Sequence, residues 1–419
     1  MDRCSRVLAL AMAAFAWAWP VAAEPCSTLS RANLIRCARQ ASLERRAGQA
    51  AVRAADGRVR AADPWLPSNP ALELSGARRR AGGETDVNWS ASLGVELELA
   101  GQRGARRRAA VADREAQQSE LSALERAAAV EAYRLYFEVL AARERGRVLD
   151  ELGAAATGVW QAADAAAERG AAAGIEADVA EAARVSMERR KLEAERDERA
   201  ASVALAHLVG LRADERLAVV GPLEPLPAAA KVRAGAVPPD PPEVVALVAE
   251  GRASTARASA LRRSRVPNPT LSVFVQRDGF NEQVLGLGLA LPLPLPEPLG
   301  RTSSGAIAES EALADRAAWL AQSRRRAAHS ELGQALVGYD TSQKSAQALS
   351  PERAARAQRM SASLATEVQA GRVPVRDAIL FQGPLLELVL DAIEAKKSLC
   401  LASLELVRAA GLPLDGGQP

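Results

Sequence analysis

Few side chains in this sequence belong to types that do chemistry on their own. The two histidines, His207 and His329, are far apart, each alone on a stretch that reads as helix, with no cysteine nearby and no carboxylate at ligand spacing. A bound zinc ion needs several such donors at fixed offsets, so no metal site is expected. No glycine-rich phosphate loop and no nucleophile elbow occurs. The reading is therefore of a protein that is not an enzyme, with no catalytic residue and no cofactor.

The cysteines carry more information. Arg3 and Arg6 precede the apolar run "VLALAMAAFAWAW", and Val21-Ala22-Ala23 supplies a small-residue cleavage site, so residues 1–23 read as a secretory signal peptide. Cys4 leaves with it. Cys26, Cys37 and Cys400 then sit in a chain bound for an oxidising compartment, which permits a Cys26–Cys37 disulfide. A continuous helix between them would hold the Cα atoms about 16 Å apart, beyond the ~7 Å that a bridge spans. A lipid-anchored Cys26 calls for a small residue before it, where Pro25 stands. The sequence leaves the state of Cys26 open.

Charge is nearly balanced, with 54 Lys+Arg against 51 Asp+Glu in 419 residues. The net +3 says little about nucleic acid, no nucleic-acid partner is expected, and Arg78-Arg79-Arg80 and Arg106-Arg107-Arg108 read as solvated faces. After the signal, no stretch approaches the ~20 apolar residues of a membrane helix. Any crossing must be made by strands.

One such strand stands out in "VNWSASLGVELEL", where Val87, Trp89, Ala91, Leu93, Val95, Leu97 and Leu99 alternate with polar residues or glycine. The segment belongs to a tandem duplication. "LPSNPALELSG" is echoed by "RVPNPTLSVFV", with Asn69-Pro70 matching Asn268-Pro269; Gly101 matches Gly300, Gly170 matches Gly371, and Gly210-Leu211 matches Gly411-Leu412. The first repeat spans 24–213, with a helical lead-in over about 28–62, a β-hairpin over 70–99 (strands 70–77 and 87–99, joined by "RRRAGGETD"), a long helix over 102–169 and a return helix over 175–211. Residues 214–242 form a linker or equatorial belt, its Pro222, Pro225, Pro227, Pro238, Pro239, Pro241 and Pro242 being too many for regular structure. The second repeat spans 243–413, with a lead-in helix, a hairpin over 270–295 turning at Asp278-Gly279, a long helix over 301–370 and a return helix over 375–412. A tail, 414–419, follows.

Strands of 12 or 13 residues reach roughly 40 Å, enough for a tilted crossing of ~30 Å of hydrocarbon. Trp89, Leu93, Val95, Leu97, Leu287, Leu289 and Leu291 would then face lipid, and Asn88, Ser90, Ser92, Glu96 and Glu98 a wet lumen. Four strands cannot close, and known barrels need at least ~8. The chain must share its barrel with copies of itself, eight strands from two or twelve from three. The helix over 102–169 has apolar residues at heptad spacing (Leu121, Ala128, Leu135, Ala142, Leu149), a narrow stripe suited to coiled-coil-like packing. Ser350-Pro351-Glu352 interrupts its counterpart, the first copy softens near Leu152-Gly153, and Gly383-Pro384 is expected to kink the last helix.

The ordered set of "NPALEL", "VPNPTL", "LELAGQRGARRRAA", "LAHLVGL" and "LELVRAAGL" resembles the TolC-like outer-membrane efflux factors over nearly the whole mature chain. "GQRGARR" is loosely similar to the heavy-metal branch typified by CzcC. The resemblance implies a mainly α fold with a membrane β-barrel contribution: a homotrimer whose twelve-stranded barrel in the outer membrane of a Gram-negative bacterium stands on a periplasmic α-helical tunnel. It implies outer-membrane lipid, a periplasmic adaptor (membrane fusion) protein and an inner-membrane RND or ABC pump as partners, and passive export of metal cations or small toxic compounds. The helix-turn-helix tips, "ERGAAAGIEAD" and "QAGRVPVRDAI", would form the inner mouth, with turns at Gly170 and Gly371 and carboxylates at Asp178 and Asp377. Arg372 and Arg376 stand close enough in sequence to pair with Asp377. Both aspartates also fit as ordinary first-turn residues. An ABC-coupled polypeptide secretion conduit and a soluble periplasmic coiled-coil adaptor or scaffold are the alternatives.

Overall fold

The computed structural model describes residues 26–414 apart from 82–83, 171–172, 213–214, 216, 234–239, 278–281, 294 and 296–301. The signal peptide, the Asp278-Gly279 turn, Gly300 and the tail after Leu414 lie outside the described residues. Two compact units are formed: residues up to Ser42, 128–226 and 339–404 make the first, and 43–127, 227–338 and 405 onward the second.

In the first unit, β1 (Thr28–Leu29) pairs in parallel with β4 (Ala218–Val219). Asn33 holds the turn after β1, accepting from the Ser30 N–H at 2.8 Å and donating to the Thr28 carbonyl at 2.9 Å. The helix α1 (Leu34–Ala41) starts only then. The lead-in is therefore not one helix over 28–62: a strand and an Asn-closed turn precede α1, and Ser42 separates α1 from α2 (Leu43–Ala61). Because residues 27–33 are not helical, Cys26 and Cys37 come within 5.8 Å between Cα atoms and form a disulfide.

Most of this unit is long helix: the later part of α3 (Gln102–Glu168), α4 (Gly174–Leu208), the end of α7 (Ser304–Ala348), α8 (Pro351–Gln369) and most of α9 (Val375–Ala409). Leu135, Ala142, Leu149, Ala156 and Ala163, at seven-residue intervals on α3, are all buried. Val148, Leu149 and Leu152 pack with Met187 and Ala194 of α4, Ala357 of α8, and Leu386, Val389 and Ile393 of α9. Small residues let the helices close up, as a Cβ added at Gly158 would stand 2.8 Å from the Ala365 Cβ. The softening expected near Leu152-Gly153 is absent, because α3 runs unbroken and Leu152 is wholly buried. Its counterpart does break, at Leu349-Ser350, where Pro351 takes the first position of α8. The last helix continues through Pro384 without a break.

The linker over 214–242 also departs from expectation. It holds β4, clamped by α3: the Tyr136 hydroxyl donates to the Val220 carbonyl at 2.8 Å and Arg143 to the Val219 carbonyl. It also holds a helix, α5 (Pro227–Arg233), whose proline opens it where no helical donor is missed.

The second unit contains α2, the start of α3, α5, α6 (Pro242–Ser264), most of α7 and a four-stranded antiparallel sheet in the order β2 (Ala71–Ala81), β3 (Glu84–Glu96), β5 (Thr270–Arg277), β6 (Gln283–Ala290). Alanines join α3 to α6 (Ala112 and Ala116 against Ala249 and Ala253), and Asp113 takes Arg58 of α2 and Arg257 of α6 together. The first hairpin is longer at its turn than its sequence suggests, since most of "RRRAGGETD" is strand; Leu97 to Leu99 are not. In the second, the ladder stops at Ala290, and Pro292 has no N–H with which to extend it.

Candidate functional site

The register of the sheet sorts its side chains into two faces. Leu72, Leu93, Val273 and Leu287 form one cross-strand row; Leu74, Ala91, Val275 and Leu285 form the next; Val95, Leu271 and Leu289 a third. Most large apolar residues on this face are open, from 41% for Trp89 to 78% for Leu285, while Val95 and Val275 are half-buried. At about 25 cal/mol per Å², a contiguous patch of this kind marks a surface that meets something apolar. Of the residues read as lipid-facing, Trp89, Leu93, Val95, Leu287 and Leu289 share this face. Leu97 and Leu291 lie just past the ends of β3 and β6, the Leu97 N–H donating to the Pro269 carbonyl at 2.9 Å.

The opposite face carries Asn88, Ser90, Ser92, Glu96, Ser272 and Gln276 in the same register. Ser75 and Ser90 hydroxyls lie 2.8 Å apart across β2 and β3. Phe274 and Val284 are the large apolar residues on this polar side, and Phe274 is the one that needs room. It lies over Gly286, where an added Cβ would meet its ring at 2.4 Å, so the glycine is what admits the aromatic ring.

Glu98 does not belong to a strand face. It lies beyond β3, its side chain only 6% exposed, and is paired with Arg106 of α3. It is part of a polar junction between sheet and helices that the sequence did not reveal. Gly101, at φ 69°, turns the chain so that the buried Gln102 opens α3. The Gln102 amide donates to the Val266 carbonyl at 3.2 Å and to Asn268 at 3.0 Å, and its oxygen accepts from the Ala100 N–H at 2.8 Å. Asn268 in turn donates to Glu96 at 2.8 Å, and Ser68 reaches the other Glu96 oxygen at 2.9 Å. Residues of both repeats are thus tied at one place. The signal was present as the "NP" and "GQ" motifs, but nothing in one dimension says that they meet.

In the first unit, the two helical tips are built alike. Gly170 and Gly371 both have φ 70°. After Gly371 the Arg372 N–H reaches back to the Glu367 carbonyl at 3.0 Å, closing a Schellman-type helix end. Val159, Leu364, Val368 and Ala378 pack under one tip, and Ala163, Ala177 and Ala180, with Trp160, Val375 and Ile379, under the other. Arg184 stands over the Trp160 ring at 5.2 Å from its centroid. Asp178 is exposed just past the first turn of α4, whose first-turn acid is Glu176, and Asp377 is half-buried on the first turn of α9. The expected pairing of Arg372 with Asp377 does not form. Arg372 grips Glu367, at 2.5 and 2.9 Å, because the glycine turn folds it back over its own helix, and this ion pair holds the Glu367 carboxyl below the usual carboxylate range. Among the described residues, neither Asp178 nor Asp377 has a cationic partner.

His207 and His329 are exposed, and the described residues contain no cluster of donors able to hold a metal. Cys400 is a buried free thiol whose burial pushes its pKa up to about 12, so it stays protonated. No helix among the described residues is long and apolar enough to cross a membrane.

A β-hairpin with an outward apolar face occurs twice, each time followed by long helices. Residues 34–211 match the protein-family model described as Outer membrane efflux protein. The fold likeness covers both repeats. A membrane protein from Pseudomonas aeruginosa superposes with a TM-score of 0.73 at 19% identity, over 93% of this chain and 91% of that one. The outer membrane protein VceC of Vibrio cholerae gives 0.71 at 17%, over 92% and 96%. The open state of the MtrE outer membrane channel of Neisseria gonorrhoeae gives 0.71 at 18%, over 92% and 89%. No curated protein matches the chain.

Proposed function

We propose that this chain is the outer-membrane duct of a tripartite efflux system, a non-enzymatic homotrimer with most of its length in the periplasm. The observation that carries this reading is a four-stranded sheet with one exposed apolar face and, among the described residues, unpaired edges at β2 and β6. Strand edges in lipid must find partners, and three copies of four strands make a closed barrel of familiar size. The same face disfavours the soluble scaffold, which would have to leave it in water. A periplasmic adaptor and an inner-membrane RND pump would supply energy and selection, with metal cations or small toxic compounds as cargo. The ABC-coupled secretion reading uses the same duct with a different inner-membrane partner.

Asp178 and Asp377, beside the turns at Gly170 and Gly371, are the proposed narrowing of the inner mouth. Repeated around a threefold axis, unneutralised carboxylates draw cations and resist joint ionisation. With Arg372 engaged by Glu367, the Asp377 charge is left for this purpose. In planar bilayers, Asp377→Ala in the purified trimer is expected to raise the resting ion leak, and Asp178→Ala to do the same. Unchanged conductance in both sinks the gate assignment. A protein that light scattering shows to be monomeric without detergent sinks the duct itself.

A further inference from the structure

The apolar face of the sheet ends in arginines. Above the apolar rows, Gly76, Trp89 and Arg277 share a row, and on the next two levels Arg78 lies opposite Val87 and Arg80 opposite Thr85, all on the same face. Arg78 and Arg80 are exposed, and neither makes an ion pair among the described residues. Arg79 projects to the other face, where its cross-strand neighbour is Asp86. Two arginines on a lipid face are costly at mid-membrane and nearly free at its boundary, and long cationic side chains extend toward that boundary. Trp89, just below them, is the residue type that sits at such a boundary. The helices leave the sheet at the opposite end, so this end is the one away from the periplasm.

We propose that Arg78 and Arg80 form a binding site for phosphorylated glycolipid head groups of the outer leaflet, whose acyl chains lie on the apolar rows below. The inference rests on the outer-membrane reading above and adds its lipid partner. Charge complementarity carries it: the two rows above Trp89 offer two guanidiniums, each able to bind phosphate oxygens in a fork, with no carboxylate on those rows.

Native mass spectrometry of the detergent-solubilised full-length trimer tests it, with a bis-phosphorylated diglucosamine lipid, its dephosphorylated counterpart and inorganic phosphate as probes. Each arginine near an anionic lipid surface is worth about fivefold in binding, so the double variant R78Q/R80Q should retain the phosphorylated lipid roughly twenty-five-fold less. R79Q should retain it as the parent does, the dephosphorylated lipid should bind all three proteins equally, and inorganic phosphate should not displace the lipid. Equal retention by R78Q/R80Q, an equal loss in R79Q, or displacement by free phosphate overturns the site while leaving the duct standing. Failure of the parent protein to enter bilayers at all overturns both.

Discussion

The first hairpin pairs eleven residues of β2 with β3, whereas the second pairs eight of β5 with β6. Both place most of their apolar residues on one side, and those rows join across β3 and β5 without a break. They differ at their ends. The first rises past the shared rows to Arg78 and Arg80, then drops through Gly101 straight into α3. The second loses its ladder at Ala290, and the chain passes Pro292 and Ser303, at φ 56°, before α7 begins. The helices repeat the contrast, with α3 unbroken over 67 residues and its counterpart split before Pro351. Duplication therefore preserved the alternation that gives the sheet one apolar face, while Pro292 and Pro351 mark where the second copy departs from the first.

The strongest way to break the equivalence of the two hairpins is to charge one row. Leu93→Arg and Val273→Arg face each other in the middle of the sheet and should each destabilise the inserted protein by about 2–4 kcal/mol, read by urea unfolding in micelles and by loss from the outer-membrane fraction. Ser92→Arg, one residue away on the polar face, should be tolerated. If it is as damaging as Leu93→Arg, the assignment of faces is wrong.

The helices come next. Gly153→Pro places in α3 the residue that its counterpart already carries, and no side chain crowds the site. The loss should be about 3 kcal/mol, from the missing hydrogen bond and the clash with the preceding turn. Pro351→Ala, at the first helical position, should change stability by less than about 1 kcal/mol. Thermal melts followed by circular dichroism compare the two, and equal effects would erase the distinction between the helices.

The smallest expected difference lies between the tips. The Glu367–Arg372 pair lowers the Glu367 pKa in the fold, so its support is complete at neutral pH and is lost as pH falls below the ordinary glutamate value of about 4.3 and through the lowered one. At the first tip, Arg169 instead donates to the Ala165 carbonyl, a contact with no titrating acceptor. Hydrogen exchange at acid pH should therefore speed up around Gly371 more than around Gly170. Parallel acceleration would count against the pair, which is fully exposed and weak.

Much of this was legible in one dimension. Alternation from Val87 to Val95 and from Leu285 to Leu289 marks strands because side chains in a strand change face at every residue. Heptad spacing from Leu135 to Leu149 marks a packed helix stripe, and paired glycines mark the tips, since those backbones need positive φ. All of these are local rules. What the sequence could not supply was the choice among distant partners. That β3 pairs with β5, joining two hairpins into one sheet, depends on register between segments some 180 residues apart. Gln102 meeting Asn268, Arg372 choosing Glu367 over Asp377, and Cys26 reaching Cys37 across a non-helical turn each needed the chain to be folded first. Short-range periodicity fixes which face a residue takes, but only three-dimensional closure decides which of several compatible neighbours it meets.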